Sequence, residues 1–288
     1  MSGPKHATAQ MRRPPISPYL AEFLGTAILL VVGLSAVSVD FGAGSPVAAA
    51  IPSAVLRRLI TGTVFAGGGA VVVYSVLGRI SGGHLNPAVT LAFLRLGKIK
   101  SHLAVGYVFA QVAGAFAGAL AVRLMWGALA GSVDDGATVP GPQGPLVALI
   151  AEALMTFALV SLVLQFMRSP SLAPYTPLAV SVLVAALVTL EAPISGTSLN
   201  PARTLGPALV AGVFTDIWVY VVGPLAGALA AVVAADRVDA AFVPCAKLFH
   251  TDEFACHFHD CVYQGRHQRR VRLGAPQPPG PLPQEATR

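Results

Sequence analysis

The chain has 288 residues, 55% hydrophobic and 11% charged, and a mean hydropathy of +0.69. Soluble domains carry about 25% charged residues, so a water-facing globule is excluded and most of the chain must lie in lipid. The net charge is only +6, and the three cysteines all fall late in the chain, in a polar tail, which excludes a disulfide-stapled extracellular domain.

The first 19 residues are polar and carry Lys5, Arg12 and Arg13. The apolar run at 20–39 has the length of a bilayer span and exceeds a signal h-region, so it predicts a transmembrane helix rather than a cleaved leader. Further apolar stretches predict spans near 59–77, 103–125, 146–167, 177–190 and 217–235. The fifth is short as an isolated run, and its helix can extend into Pro174 to Thr176 or Glu191. The segment 127–145, with Asp134 and Asp135, predicts the longest exposed loop. The chain thus divides into an N-terminal tail (1–18), a membrane domain (19–235, with halves at about 19–125 and 146–235) and a C-terminal tail (236–288).

Six spans put both tails on one side. Of the 19 Lys and Arg, 15 fall on the tails and even-numbered loops, and only Arg57, Arg58, Arg123 and Arg203 fall on the other side. The positive-inside rule then predicts cytoplasmic termini, and the plasma membrane is the expected location.

An internal repeat carries the most information. Residues 80–91 (ISGGHLNPAVTL) recur at 194–205 (ISGTSLNPARTL), an offset of 114 with nine of twelve positions identical. Tyr107-Val108 and Ala113-Gly114-Ala115 recur as Tyr220-Val221 and Ala226-Gly227-Ala228, and Ala21-Glu22 with Thr26 recurs as Ala151-Glu152 with Thr156. Each half therefore holds three spans and one Asn-Pro-Ala segment. An odd number of spans per half inverts the second half relative to the first.

In each segment, Asn86-Pro87-Ala88 and Asn200-Pro201-Ala202, Asn is a strong N-cap and Pro suits the first helical turn. The apolar residues after them (88–94 and 202–210) predict half-helices meeting N-terminus to N-terminus at the midplane, a positive barrier to cations. If the Asn carbonyls cap, the amide NH2 groups face the lumen as donors, and the carbonyls of 82–85 and 196–199 supply acceptors.

This pattern resembles the major intrinsic protein family, the aquaporins and glycerol facilitators, over roughly Tyr19 to Ala235. The resemblance implies an all-α membrane fold of six helices plus two re-entrant half-helices. It also implies a homotetramer with a pore in each subunit, and passage of water and small neutral solutes without ions or protons. It further implies a constriction formed by an arginine and three other side chains. Carried over by position, these are Arg203, Thr197 and Val188, with a fourth on the second span. Counting back from Asn86 gives Ala66, whereas anchoring on the helix gives Phe65, the preferred choice. Val188 stands where strict water channels of the family usually have His, and Thr204 where glycerol facilitators usually have Asp. The mix resembles the nodulin-type channels and their bacterial relatives, which implies glycerol, urea or undissociated metalloid acids besides water.

Glu22 and Glu152 are ionisable groups inside spans. Their symmetric placement suggests that each accepts backbone N–H groups from one re-entrant loop, in preference to a proton relay. His84 is expected to be a satisfied loop histidine rather than a pH gate. Gly106, Ala110, Gly114 and Gly118, with Gly223 and Gly227, form small-residue stripes suited to close helix packing.

The tail is what the resemblance does not explain. Cys245, His250, Cys256, His257, His259, Cys261 and His267 lie within 23 residues; the first six, above all the run Cys256-His257-x-His259-x-Cys261, are candidate Zn or Cu ligands, although the spacing matches no standard zinc finger. The basic run 266–272 suits anionic lipid, and the Pro-rich stretch 275–287 predicts disorder. The channel itself implies no cofactor, no nucleic-acid partner and no enzymatic chemistry. A secondary transporter is the rival class, but no acidic residue stands beside either Asn-Pro-Ala.

Overall fold

A computed structural model describes residues 12–237, 243–258 and 260–263. Lys5, His259, His267, the basic run 266–272 and the Pro-rich end lie outside the described residues. Among the described residues the fold is all-helical, with one isolated bridge between Arg12 and Phe254. Six helices are long and apolar enough to span a membrane.

In chain order the main helices are α1 (Pro18–Phe41), α2 (Ala54–Tyr74), α3 (Pro87–Arg95), α4 (Ser101–Trp126), α5 (Pro145–Arg168), α6 (Thr176–Ser195), α7 (Pro201–Ala211) and α8 (Val219–Arg237). The short helices α3 and α7 follow the two Asn residues, and the other six are the spans. Most starts are written locally. Ser17 accepts the Leu20 N–H with Pro18 opening α1, and Ser53 accepts the Leu56 N–H at the start of α2. The second span corrects the sequence expectation of 59–77. It starts at Ala54 and stops at Tyr74, because Ser75 adopts an extended conformation and caps a separate short helix, Val76–Ser81. The fifth span runs to Ser195, well past 190.

The two halves pack alike. Helix α1 lies on α4 as α5 lies on α8, and α2 meets α6 between the halves. The half-helices cross over, α3 contacting α8 and α7 contacting α4. Glycines permit the close α1–α4 and α5–α8 contacts: a Cβ on Gly118 would lie 2.6 Å from the Ala27 carbonyl oxygen, and one on Gly227 would strike that of Ala153. Phe109, Leu124, Leu154, Val182 and Leu190 instead point outward and are more than 60% exposed. That is tolerable only against lipid or another apolar surface.

Candidate functional site

The re-entrant segments are held by buried carboxylates. Glu22, fully buried on α1, accepts the backbone N–H groups of His84 (3.1 Å) and Leu85 (2.8 Å), and the Gln111 side-chain amide at 2.7 Å. Glu152 on α5 does the same for the other half. It accepts Ser198 N–H, Leu199 N–H and the Ser195 hydroxyl, each at 2.7 Å. The repeated tyrosines match too, Tyr107 donating to the Ser81 carbonyl at 2.6 Å and Tyr220 to that of Ser195 at 2.7 Å. This bracing holds Leu85 (φ +52°) and Leu199 (φ +54°) in left-handed conformations, which cost a non-glycine residue about 1–2 kcal/mol.

With Leu85 and Leu199 so turned, their carbonyls reach the opposite Asn. Asn86 Oδ1 caps α3 through Ala88 N–H (2.8 Å), while its Nδ2 donates to Leu199 O at 2.9 Å. Asn200 Oδ1 caps α7 through Ala202 N–H (3.0 Å) and Arg203 N–H (3.3 Å), while its Nδ2 donates to Leu85 O at 2.8 Å. The expectation that both amide groups are given to the lumen is thereby corrected. Each spends one N–H on the other loop and retains one. The row of free loop carbonyls is shortened as well, since Leu85 O and Leu199 O accept these bonds and Gly82 O accepts Leu248 N–H at 3.0 Å.

Asn86, Asn200, Phe65, Val188, Thr197 and Arg203 all line one cavity of about 490 Å³ between the helices. Pro87, Ala88, Pro201 and Ala202 are buried behind it at the helix starts. Arg203 is 7% exposed and donates through Nη1 to the Gly136 carbonyl at 2.7 Å, with its guanidinium carbon 5.5 Å from the centre of the Phe65 ring. Ala66 lines the same cavity, but Phe65 is the residue in cation–π contact with the arginine. Thr197 donates to Glu191 Oε2 at 2.7 Å.

Several residues here went unrecognised in the sequence. Glu191 anchors Thr197, Gly136 anchors Arg203, and Thr138 joins Thr204 (2.7 Å), which also meets the Ser198 hydroxyl (2.6 Å). The loop carrying Gly136 and Thr138 gave only a polar-loop signal, and nothing in its spacing pointed to the cavity. Leu248 of the C-terminal tail lines the cavity too, and no sequence signal links it to the spans.

His84 is buried, with Nδ1 3.1 Å from Thr90 Oγ1 and Nε2 2.9 Å from the Ala246 carbonyl of the tail. Of the tail ligand candidates, Cys245, His250, Cys256 and Cys261 converge, their ligand atoms all within 4.8 Å of one another. His257 does not join them. Its Nε2 lies 2.9 Å from the Tyr107 hydroxyl, and burial, reinforced by the Lys247 charge, pushes its pKa down to about 3.

An inverted six-span bundle, with two half-helices aimed N-terminus to N-terminus at an internal cavity, defines the protein as a polytopic membrane channel. The profile of the major intrinsic protein family matches residues 11–234, and the chain belongs to that family, whose members are channels and not enzymes. It is 38% identical over 214 residues to Aquaporin NIP1-4 of Oryza sativa subsp. japonica, covering 73% of this chain and 72% of the rice protein. It is 35% identical to Aquaporin TIP2-1 of Arabidopsis thaliana, covering 73% and 82% of the two chains. The fold matches the X-ray structure of the aquaglyceroporin from Plasmodium falciparum with a TM-score of 0.65 at 22% identity, over 77% of this chain and 95% of that one.

Proposed function

We propose that the chain is a passive pore for water and small uncharged solutes such as glycerol, excluding ions and protons, in the plasma membrane with both termini cytoplasmic. The observation that carries this reading is the set of side chains around the cavity at Arg203. Arg203, with several N–H donors, stands against the Phe65 ring, Val188 lines the same cavity, and Thr197 and Thr138 bring hydroxyls to it. Such a wall takes a solute hydroxyl on its donor side and the solute's CH groups on its apolar side. A bare cation meets Arg203 and the positive ends of α3 and α7 together. Val188, in place of a bulkier polar residue, leaves room for more than a water molecule.

The family resemblance supports a homotetramer, and the apolar outer faces suit either lipid or a second subunit. The positive-inside distribution of Lys and Arg supports the orientation. The likeness to nodulin-type relatives keeps urea and undissociated metalloid acids as a second set of solutes. Relatives named as both NIP and TIP aquaporins leave other membranes as the competing location.

The test is light scattering from proteoliposomes after sorbitol and glycerol shocks. Rapid shrinkage in sorbitol, with rapid reswelling in glycerol, is the expected result. Fast shrinkage without accelerated reswelling would make the pore water-selective. Saturable or ion-coupled uptake would move the protein to the transporter class.

A further inference from the structure

The C-terminal tail is an irregular segment that the bundle nevertheless buries. From Val243 to Cys261 its described residues form no helix, and their single bridge is with Arg12. Yet Val243, Cys245, Ala246 and Lys247 are at most 2% exposed. An irregular segment has no hydrogen-bonded ladder of its own, so a cross-link between its loops would add to the contacts that hold it on the bundle.

Candidates for such a cross-link converge inside it. The order is Cys245, four residues, His250, five residues, Cys256, four residues, Cys261. Cys245 Sγ lies 3.5 Å from Cys256 Sγ, Cys261 Sγ lies 3.4 Å from His250 Nε2, and all four ligand atoms fall within 4.8 Å of one another. A tetrahedral zinc ion with Zn–S near 2.3 Å and Zn–N near 2.1 Å requires ligand–ligand edges of about 3.5–3.8 Å. Four soft and borderline donors so grouped fit zinc better than an oxygen-seeking cation.

We propose that Cys245, His250, Cys256 and Cys261 bind one Zn2+, and that the metal fixes the tail over the mouth of the pore with Leu248 against the cavity. Binding displaces three thiol protons to solvent and forms three Zn–S bonds and one Zn–N bond. The resulting centre carries a net charge of −1. The buried Lys247 ammonium, in the loop between the first two ligands, lies within electrostatic reach of Cys256 and offsets it.

The inter-ligand loops hold the residues that touch the channel. Between Cys245 and His250, the Ala246 carbonyl meets His84, Lys247 donates to Arg79 O at 2.6 Å, Leu248 N–H donates to Gly82 O, and Phe249 stands edge-on to Tyr74. Between Cys256 and Cys261, Phe258 stacks on His84 with ring centres 5.7 Å apart. Gly82 and His84 belong to the re-entrant segment that leads into Asn86. A metal that clamps both loops therefore sets where Leu248 sits. The zinc site stands by itself, whereas its effect at the mouth rests on the channel reading above.

The experiment uses the full-length protein in nanodiscs, kept reduced, stripped with chelator and titrated with Co2+ as a spectroscopic substitute. One equivalent of Co2+ per chain, giving tetrahedral d–d and thiolate charge-transfer bands that Zn2+ abolishes, is expected. C256S and C261S should weaken binding at least tenfold, C256H should keep a weaker tetrahedral spectrum, and H102A should leave binding unchanged. Absence of the bands, bands indifferent to both serine variants, or a Cys245–Cys256 disulfide in the purified protein would overturn the site.

Water permeability of stripped against Zn-loaded proteoliposomes reads the second half of the proposal. Stripping is expected to raise permeability severalfold, and L248A to raise the loaded value to the stripped one. A ratio of one in a protein that binds Co2+ overturns the effect at the mouth. A Co2+-binding protein that conducts no water in either state keeps the zinc site and overturns the channel reading instead.

Discussion

The side-chain amide of Asn86 donates to the main-chain carbonyl of Leu199, 113 residues away, at 2.9 Å. Asn200 returns the contact to Leu85 at 2.8 Å. Each asparagine thus caps its own half-helix and ties down the other half's loop, so the two repeats are locked to each other at the cavity wall.

Because the two amides brace reciprocal loops, their removal should not be additive. Asn86→Ala and Asn200→Ala should each destabilise by about 1–3 kcal/mol, combining a lost cap with a lost hydrogen bond. The double variant should depart from the sum by about 0.5–3 kcal/mol. Thermal unfolding of the four proteins in one detergent measures the cycle, and strict additivity would mean that the loops are positioned independently.

Glu22→Ala strands two buried backbone N–H groups at His84 and Leu85, and Glu152→Ala strands those of Ser198 and Leu199. Each stranded donor costs about 1–3 kcal/mol, and the strain at Leu85 or Leu199 is no longer opposed. Both variants should unfold at clearly lower temperature and lose water permeability in parallel. A stable Glu152→Ala protein that has lost only a proton flux carried by the unsubstituted protein would instead support a relay role.

Replacing Arg203 separates charge from width. Arg203→Val removes the fixed cation while leaving the Asn200 cap and Phe65 in place. A unit charge about 5 Å away, at an effective dielectric near 20, is worth about 3 kcal/mol to a passing cation. Proton or Na+ leak into dye-loaded vesicles should therefore rise by one to two orders of magnitude, with glycerol flux kept or increased. Unchanged ion exclusion would assign the barrier to the half-helix ends alone.

Two glycines serve as a matched pair for the packing. Gly227 on α8 faces the backbone of Ala153, whereas Gly67 on α2 has nothing within 4 Å of where a Cβ would stand. Gly227→Ala should cost about 1–3 kcal/mol from overpacking. Gly67→Ala should be neutral or stabilising by up to about 1 kcal/mol through helix propensity. Melting temperatures of both variants check this, and equal shifts would argue against a tight α5–α8 contact.

Much of the architecture was legible in the residue order because its causes are local. Apolar runs of bilayer length mark the spans, and Asn-Pro marks the starts of α3 and α7. The two ISG…NPA segments mark the inversion. The second span was misplaced because hydropathy averages across Ser75, where the chain turns extended and restarts as a separate short helix. Phe65 and Ala66, neighbours on one helix, could not be separated by counting, and they differ only in what stands opposite: Arg203 meets the Phe65 ring. His257 looked like one more tail ligand until packing turned it toward Tyr107.

The residue order alone determined the number of spans, the inverted repeat, the two capped half-helices and the family, since each depends on propensity, hydropathy or motif within a few dozen residues. Tertiary structure alone decided that Asn86 pairs with Leu199, that Glu191 holds Thr197, and that Gly136 receives Arg203. It also decided that the tail brings four ligands together and sets Leu248 against the cavity. Asn86–Leu199 and Arg203–Gly136 join residues far apart in the chain, whereas Glu191–Thr197 and the tail ligands meet through local chain turns, and none of these contacts follows a periodicity that the residue order records.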